Sequence, residues 1–174
     1  AGDPLIFGRG GEEAEELAEA GIPCTLVPGV SAALGAAAYA GIPLTHRLHA
    51  SDVTFMSGHD VEGNRPSFTD WSKAGGGTGT LVLFMVARTL SASLQRLIQV
   101  GRSAETPAAY IASASTPDQR VIVGTLATLA DKTGDVDLTI PALVIVGDVV
   151  GLRERIAWFE RRPLAGRRLL VARA

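Results

Sequence analysis

Short uninterrupted runs of apolar residues alternate along this chain with stretches in which apolar residues recur every three to four positions. Runs of the first kind suit strands buried in a sheet, and the second spacing suits helices with one buried stripe. Residues 80–85 and 142–146 are the clearest runs, and their continuity predicts burial on both faces. Leu90, Leu94, Leu97 and Ile98 carry the helical spacing, on a helix closed by Gly101. Shorter strands are predicted at 53–56, 108–112 and 120–123. Further helices are predicted over 126–132 and over 152–159, the latter with Leu152, Ile156 and Phe159 on one side.

The front of the chain reads helix, strand, helix. Residues 12–20 are rich in Glu, Ala and Leu, with Glu12 and Glu13 in the first turn and Gly21 just past the end. Residues 24–27 read as a strand between Pro23 and Pro28, and Ser31 reads as the N-cap of an Ala-rich helix that stops at Gly41 and Pro43. The small side chains of that helix admit the close approach of another backbone or of a ligand, and close packing alone explains them equally well. The polar stretch from Pro43 to Ser51 marks a domain junction. The glycines of 75–79 mark a mobile surface loop, and 168–172 reads as the start of another strand. Strands alternating with helices give an α/β architecture with a mixed or parallel sheet, whose ligands sit beyond the C-terminal ends of strands.

With 47% apolar and 20% charged residues the chain can bury a core, and a net charge of −2 gives no footprint for nucleic acid. The basic residues Arg161, Arg162, Arg167, Arg168 and Arg173 read as a solvated tail. Cys24 alone makes no internal disulfide, and no run of 18 apolar residues or signal-peptide pattern is present, so a cytoplasmic, membrane-free protein is expected.

His46 and His49 stand three apart beside Pro43, which favours a loop over a metal-binding helix face, and no zinc-ligand spacing, Gly-x-Ser-x-Gly or Walker-type loop occurs. No metal is expected. What remains is a set of turns built from Gly, Pro, Ser and Ala. Gly2-Asp3-Pro4 with Gly8-Arg9-Gly10-Gly11 brings amides near a ligand, with Asp3 as an acceptor, or is plain turn chemistry.

As strings, these turns resemble the motifs of the tetrapyrrole (corrin and porphyrin) methylases, in particular the uroporphyrinogen-III C-methyltransferase branch. The resemblance rests on Gly2-Asp3-Pro4-Leu5-Ile6-Phe7-Gly8-Arg9-Gly10-Gly11-Glu12-Glu13 and Val27-Pro28-Gly29-Val30-Ser31-Ala32-Ala33. It continues through Tyr39-Ala40-Gly41-Ile42-Pro43-Leu44-Thr45-His46-Arg47, Ser57-Gly58-His59, the run 79–85 and the run 141–147. It implies a class III methyltransferase fold of two α/β domains with S-adenosylmethionine in the cleft between them, and usually a homodimer. The division implied is 1–48 as the C-terminal part of the first domain, 49–160 as the second, and 161–174 as a tail or linker.

Carried over residue by residue, the resemblance puts Gly2, Asp3 and Ile6 on the cofactor's amino-acid and ribose portion. Ser31 and Ala32 fall at a helix start beside it, and Met85, Ala114 and Ala142 on the adenosine side. Ala114 stands where relatives often have Gly, and its methyl would crowd a backbone of positive φ there. The many carboxylates of a tetrapyrrole make Arg9, His46 and Arg47 its expected anchors. The implied activity is C-methylation of uroporphyrinogen III to precorrin-2, with S-adenosylhomocysteine as by-product; the alternatives are another precorrin methylase, or an inactive cofactor-binding or dimerising fragment. The family's opening Gly-x-Gly-Pro-Gly-Asp loop and proton-transfer residues do not occur in these residues, so no catalytic residue is assigned. The tail from Trp158 onward resembles the junction by which some of these methylases continue into a uroporphyrinogen-III synthase domain.

Overall fold

Leu81, Val82, Leu83 and Phe84 present apolar groups on both sides of an extended chain, so any sheet that holds them must be covered twice. The computed structural model describes residues 2–58, 70–134, 136–137, 139–167 and 170–172. Its elements in chain order are α1 (Gly10–Glu19), α2 (Ala32–Ala40), β1 (Val53–Ser57), α3 (Ser72–Gly75), β2 (Thr80–Phe84), α4 (Leu90–Gln99), β3 (Pro107–Ala112), β4 (Arg120–Thr125), α5 (Leu129–Lys132), β5 (Ala142–Val146) and α6 (Arg153–Ile156). The strands form one mixed sheet in the order β1-β2-β5-β3-β4. β1 and β2 are parallel, and β5 enters antiparallel between β2 and β3.

Alternate side chains sort to opposite faces of this sheet. Leu81, Leu83, Tyr110, Val144 and Val146 face Leu90, Leu94 and Leu97 of α4 together with Leu129 of α5. Val82, Phe84, Ile111, Leu143 and Ile145 face Ala33, Ala36, Ala37 and Ala40 of α2, with Ile42, Val149 and Val150. Each of the fully buried leucines contributes roughly 1.5–3 kcal/mol. The alanines of α2 therefore serve packing on their buried side, letting the helix lie close to the strands. No helix among the described residues is long and apolar enough to cross a membrane.

Several expectations change. Residues 24–27 form no strand: Ile22, Leu26, Val27 and Val30 are exposed, and among the described residues no ladder partner reaches them. Extended propensity without a partner leaves backbone groups to water instead of to a sheet. The helix expected over 126–132 is confined to α5, because Leu126 and Ala127 donate their amides to Thr106 and Ala104. That expected over 152–159 splits into a 3₁₀ turn (Asp148–Leu152) and α6, then turns extended at Ala157. The break lets Phe159 bury while Trp158 reaches α2. Ser31 occupies the N-cap position of α2, yet its hydroxyl makes no bond to the helix.

The 75–79 segment is a surface loop only in its middle. Gly75 and Gly79 are buried, and Arg102, itself 8% exposed, donates to Ala74 O at 2.6 Å and Gly79 O at 3.1 Å. A Cβ on Gly75 would strike Val100 O and one on Gly79 the Asp52 carboxylate, so both positions need glycine for space. Burial lowers the Arg102 guanidinium from its ordinary value, with Asp52 and Asp148 acting the other way. Residues 168 and 169 of the expected last strand lie outside the described residues, as does His59 of the quoted motifs; 170–172 carry no strand.

The chain after α6 hooks back onto α2. Arg153 meets Glu160 at 3.1 Å, Gln119 donates to the same carboxylate at 2.9 Å, and Tyr39 packs against Trp158 and Phe159. Burial works against the Glu160 charge, but the hydrogen bonds from Gln119 and Arg153 outweigh it and hold the carboxyl below its ordinary 4.5. A carboxyl lowered on folding stabilises the fold above its unfolded value and loses that contribution as pH falls through the folded one. The stability difference between wild type and Glu160→Gln is thus expected in full at neutral pH and to shrink below pH 4.5 in urea denaturation. Tyr110 is wholly buried, and among the described residues its hydroxyl has no partner. Tyr110→Phe is therefore expected to raise stability by about 1 kcal/mol in the same assay, and a loss would reveal a missed partner.

Candidate functional site

The first ten residues fold into a tight loop because two glycines allow it. Gly10 donates its amide to Pro4 O at 2.9 Å, and a Cβ on Gly8 or Gly10 would lie 2.8 or 2.7 Å from that same oxygen. Nothing lies within 4 Å of a Cβ at Gly11, so only the first two glycines of Gly8-Arg9-Gly10-Gly11 answer to packing. Asp3 sits at the centre: its carboxylate accepts the Leu5 amide at 2.9 Å and the Gly29 amide at 3.0 Å. That second bond seats the 2–10 loop on the turn before α2. A Cβ on Gly2 would be 3.5 Å from Ala32 N, and one on Gly29 would overlap Gly2 O. Gly2, Asp3, Ser31 and Ala32 are thus brought together, with Ile6 tied in through its amide to Asp3 O at 3.3 Å.

Strand register gathers a second group. Ala112 of β3 pairs with Ala142 of β5, and Phe84 of β2 pairs with Leu143, so Met85, Ala142 and the turn after Ala112 line the same edge of the sheet. Ser113 N donates to Pro141 O at 3.1 Å and closes that edge. Met85 is half exposed with φ 53°, a left-handed backbone unusual for its side chain. In the following turn the left-handed residues are Ser113 (φ 47°) and Ser115 (φ 68°), on either side of Ala114, so the methyl of Ala114 meets no such constraint.

The two groups meet through aromatic rings. Phe7 of the first loop lies 4.8 Å, centroid to centroid, from Phe84, the residue before Met85. Phe7 stood inside a quoted motif without an assigned role; nothing in local pattern distinguishes its ring from those of its exposed neighbours Leu5 and Ile6.

The expected anchors behave differently. The Arg9 guanidinium is exposed and paired with Glu12 at 2.8 Å, and that hydrogen bond and charge raise its pKa. His46 Nδ1 accepts the Leu48 amide at 3.2 Å, its ring 4.9 Å from that of His49, and Arg47 is exposed. No hydrogen bond, ion pair or ring contact among the described residues links His46 or Arg47 to Asp3, Met85, Ala114 or Ala142. Two hollows lie elsewhere. One of about 490 Å³ is lined by Leu34, Pro43, Ile156 and Trp158, and one of about 310 Å³ by Val123, Arg153 and Arg161. Neither includes a residue of the gathered edge. Among the described residues no cluster of three His, Cys, Asp or Glu is placed to hold a metal.

The family model for tetrapyrrole (corrin/porphyrin) methylases matches residues 1–130. The chain belongs to that family. The chain is 52% identical over 166 residues to the siroheme synthase of Stutzerimonas stutzeri (strain A1501), a match covering 95% of this chain and 35% of that protein. It is similar in structure to the uroporphyrin-III C-methyl transferase of Thermus thermophilus complexed with S-adenyl homocysteine, with TM-score 0.73 and 34% identity over 87% of this chain and 64% of that one. A cobalt precorrin-4 methyltransferase gives TM-score 0.74 at 25% identity, over 86% of this chain and 62% of that one. The fold is that of the class III tetrapyrrole methyltransferases. The chain spans about a third of the siroheme synthase and less than two thirds of the Thermus enzyme.

Asp3→Ala tests how the first loop is held. A carboxylate bond to an amide is worth about 1.5–3 kcal/mol, so exchange of the Gly29 amide, followed by NMR, is expected to quicken about tenfold or more. Unchanged exchange would show that Asp3 does not seat the loop.

Proposed function

We propose that this chain serves the S-adenosylmethionine-dependent C-methylation of uroporphyrinogen III to precorrin-2, on the route to sirohaem and cobalamin. The observation that carries the reading is the meeting of the Gly2–Asp3 turn, the start of α2 and the Met85, Ala114 and Ala142 strand ends around Phe7 and Phe84. The likeness to the Thermus enzyme, whose structure holds S-adenyl homocysteine, supports it.

The residues present fit such a cofactor. Among the described residues the Ser31 hydroxyl is buried without a partner, and no acceptor meets the Ala32 and Ala33 amides at the positive end of α2. These amides suit the carboxylate of an amino-acid moiety. Gly2 admits it closely for want of a side chain, and Asp3 offers an acceptor for an amine or hydroxyl beside it. Met85, Ala114 and Ala142 offer backbone groups and small apolar surface to a nucleoside. When bound, the cofactor supplies a methyl group on a sulfonium. The chain's own part is to orient that group and exclude water around it. Arg9, His46 and Arg47 remain candidates for the substrate's carboxylates, Arg9 after leaving Glu12. The family resemblance further supports a cytoplasmic homodimer divided near residue 48.

Calorimetry with S-adenosylhomocysteine and a turnover assay on this chain test the proposal. Binding at one site per chain together with methylated product is the expected result, and no binding would overturn it. Binding without turnover would leave the chain a cofactor-binding piece. Methylation at other ring positions, read by mass spectrometry and NMR, would instead favour the precorrin methylases.

A further inference from the structure

Three consecutive carbonyls at the C-terminal end of α2 receive side chains from far along the chain. Trp158 Nε1 donates to Ala38 O at 2.9 Å, Gln119 Nε2 to Tyr39 O at 3.2 Å, and the Arg153 guanidinium to Ala40 O. Helix ends usually satisfy such carbonyls with water or with the turning backbone. Here Gly41 turns with φ 66°, and a Cβ on it would lie 2.6 Å from Ala157 Cα, so the hook after α6 is seated against the helix end itself.

Gln119 does more than cap. Its Oε1 accepts the Ser115 amide at 2.8 Å, while its Nε2 also donates to Glu160 at 2.9 Å, and Glu160 in turn holds Arg153 at 3.1 Å. One carboxamide therefore joins three pieces: the turn that carries Ala114, the C-terminal end of α2, and the hook. That turn needs holding. Ser113 and Ser115 both have positive φ, a backbone strained for a residue with a side chain. The other end of α2 carries Ser31 and Ala32. A nine-residue helix is a rigid rod about 13 Å long, so fixing its far end fixes where its first amides lie.

We propose that Gln119, supported by Trp158 and Arg153, is a positioning residue for the cofactor cleft, setting α2 and the Ala114 turn at their working separation. Gln119 touches neither reacting group; it acts through the helix and the turn it joins. The inference rests on the cofactor reading above.

Gln119→Met keeps the side chain's length and removes its amide. S-adenosylhomocysteine affinity is measured by calorimetry at a temperature where every variant is folded. Leu97→Val, on the opposite face of the sheet, serves as a variant that loses stability without touching α2 or the turn. Gln119→Met is expected to weaken binding about tenfold. Trp158→Phe, which keeps the rings against Tyr39 and Phe159, is expected to weaken it by less, and Leu97→Val to leave it unchanged. Wild-type affinity in Gln119→Met overturns the inference alone, as does an equal loss in Leu97→Val, which would mark general loosening. Absence of binding by the wild type overturns the functional reading and this inference with it.

Discussion

The insertion of β5 between β2 and β3, antiparallel to both, is the constraint on which the remainder depends. It makes the start of one strand lie between the ends of two others, so that Ala142, Met85 and the turn after Ala112 share an edge although they are far apart in sequence. It also surrounds the sheet's centre with hydrogen-bonded neighbours, and a strand so placed must be apolar on both faces. The two hydrophobic layers follow from this, and so does the need for a helix on each side.

The two covering helices solve that need in different ways. α4 is amphipathic with bulky leucines, and it sits over the sheet as an ordinary half-buried helix. α2 meets the strands through alanines, gaining less per residue from burial but lying nearer. A thin helix makes a weak wedge, and the structure compensates at its ends. The Asp3 loop is pinned to the turn before it, and the hook with Gln119 closes the carbonyls after it. Small side chains and many hydrogen bonds are two halves of one arrangement.

Local pattern revealed the elements whose burial is decided by their own residues. β2 and β5 were legible as unbroken apolar runs, α4 as a stripe of leucines, and the end of α2 as Gly41. Strand order was not, because it depends on which runs pair. For the same reason residues 24–27 have every local mark of a strand and no ladder. Nor could spacing reveal Gln119, a polar residue between Asp118 and Arg120 whose partners Tyr39 and Glu160 lie 80 and 41 positions away. Of the candidate site, the turns at Gly2–Asp3 and Ser31–Ala32 were visible as small-residue clusters, and their grouping as one site came only through family likeness. Phe7, which joins the two groups, looks like any exposed aromatic until Phe84 is found beneath it.

The uncovered segment ahead of α2 bears on how the molecule behaves in company. Leu26 and Val27 offer a greasy backbone, without a ladder partner among the described residues, to any passing extended peptide, the usual seed of edge-to-edge clumping. Pro23 and Pro28 stand at either end of it. Lacking amide hydrogens, they limit an intruding strand to the few residues between them, and so act as gatekeepers against fibre growth.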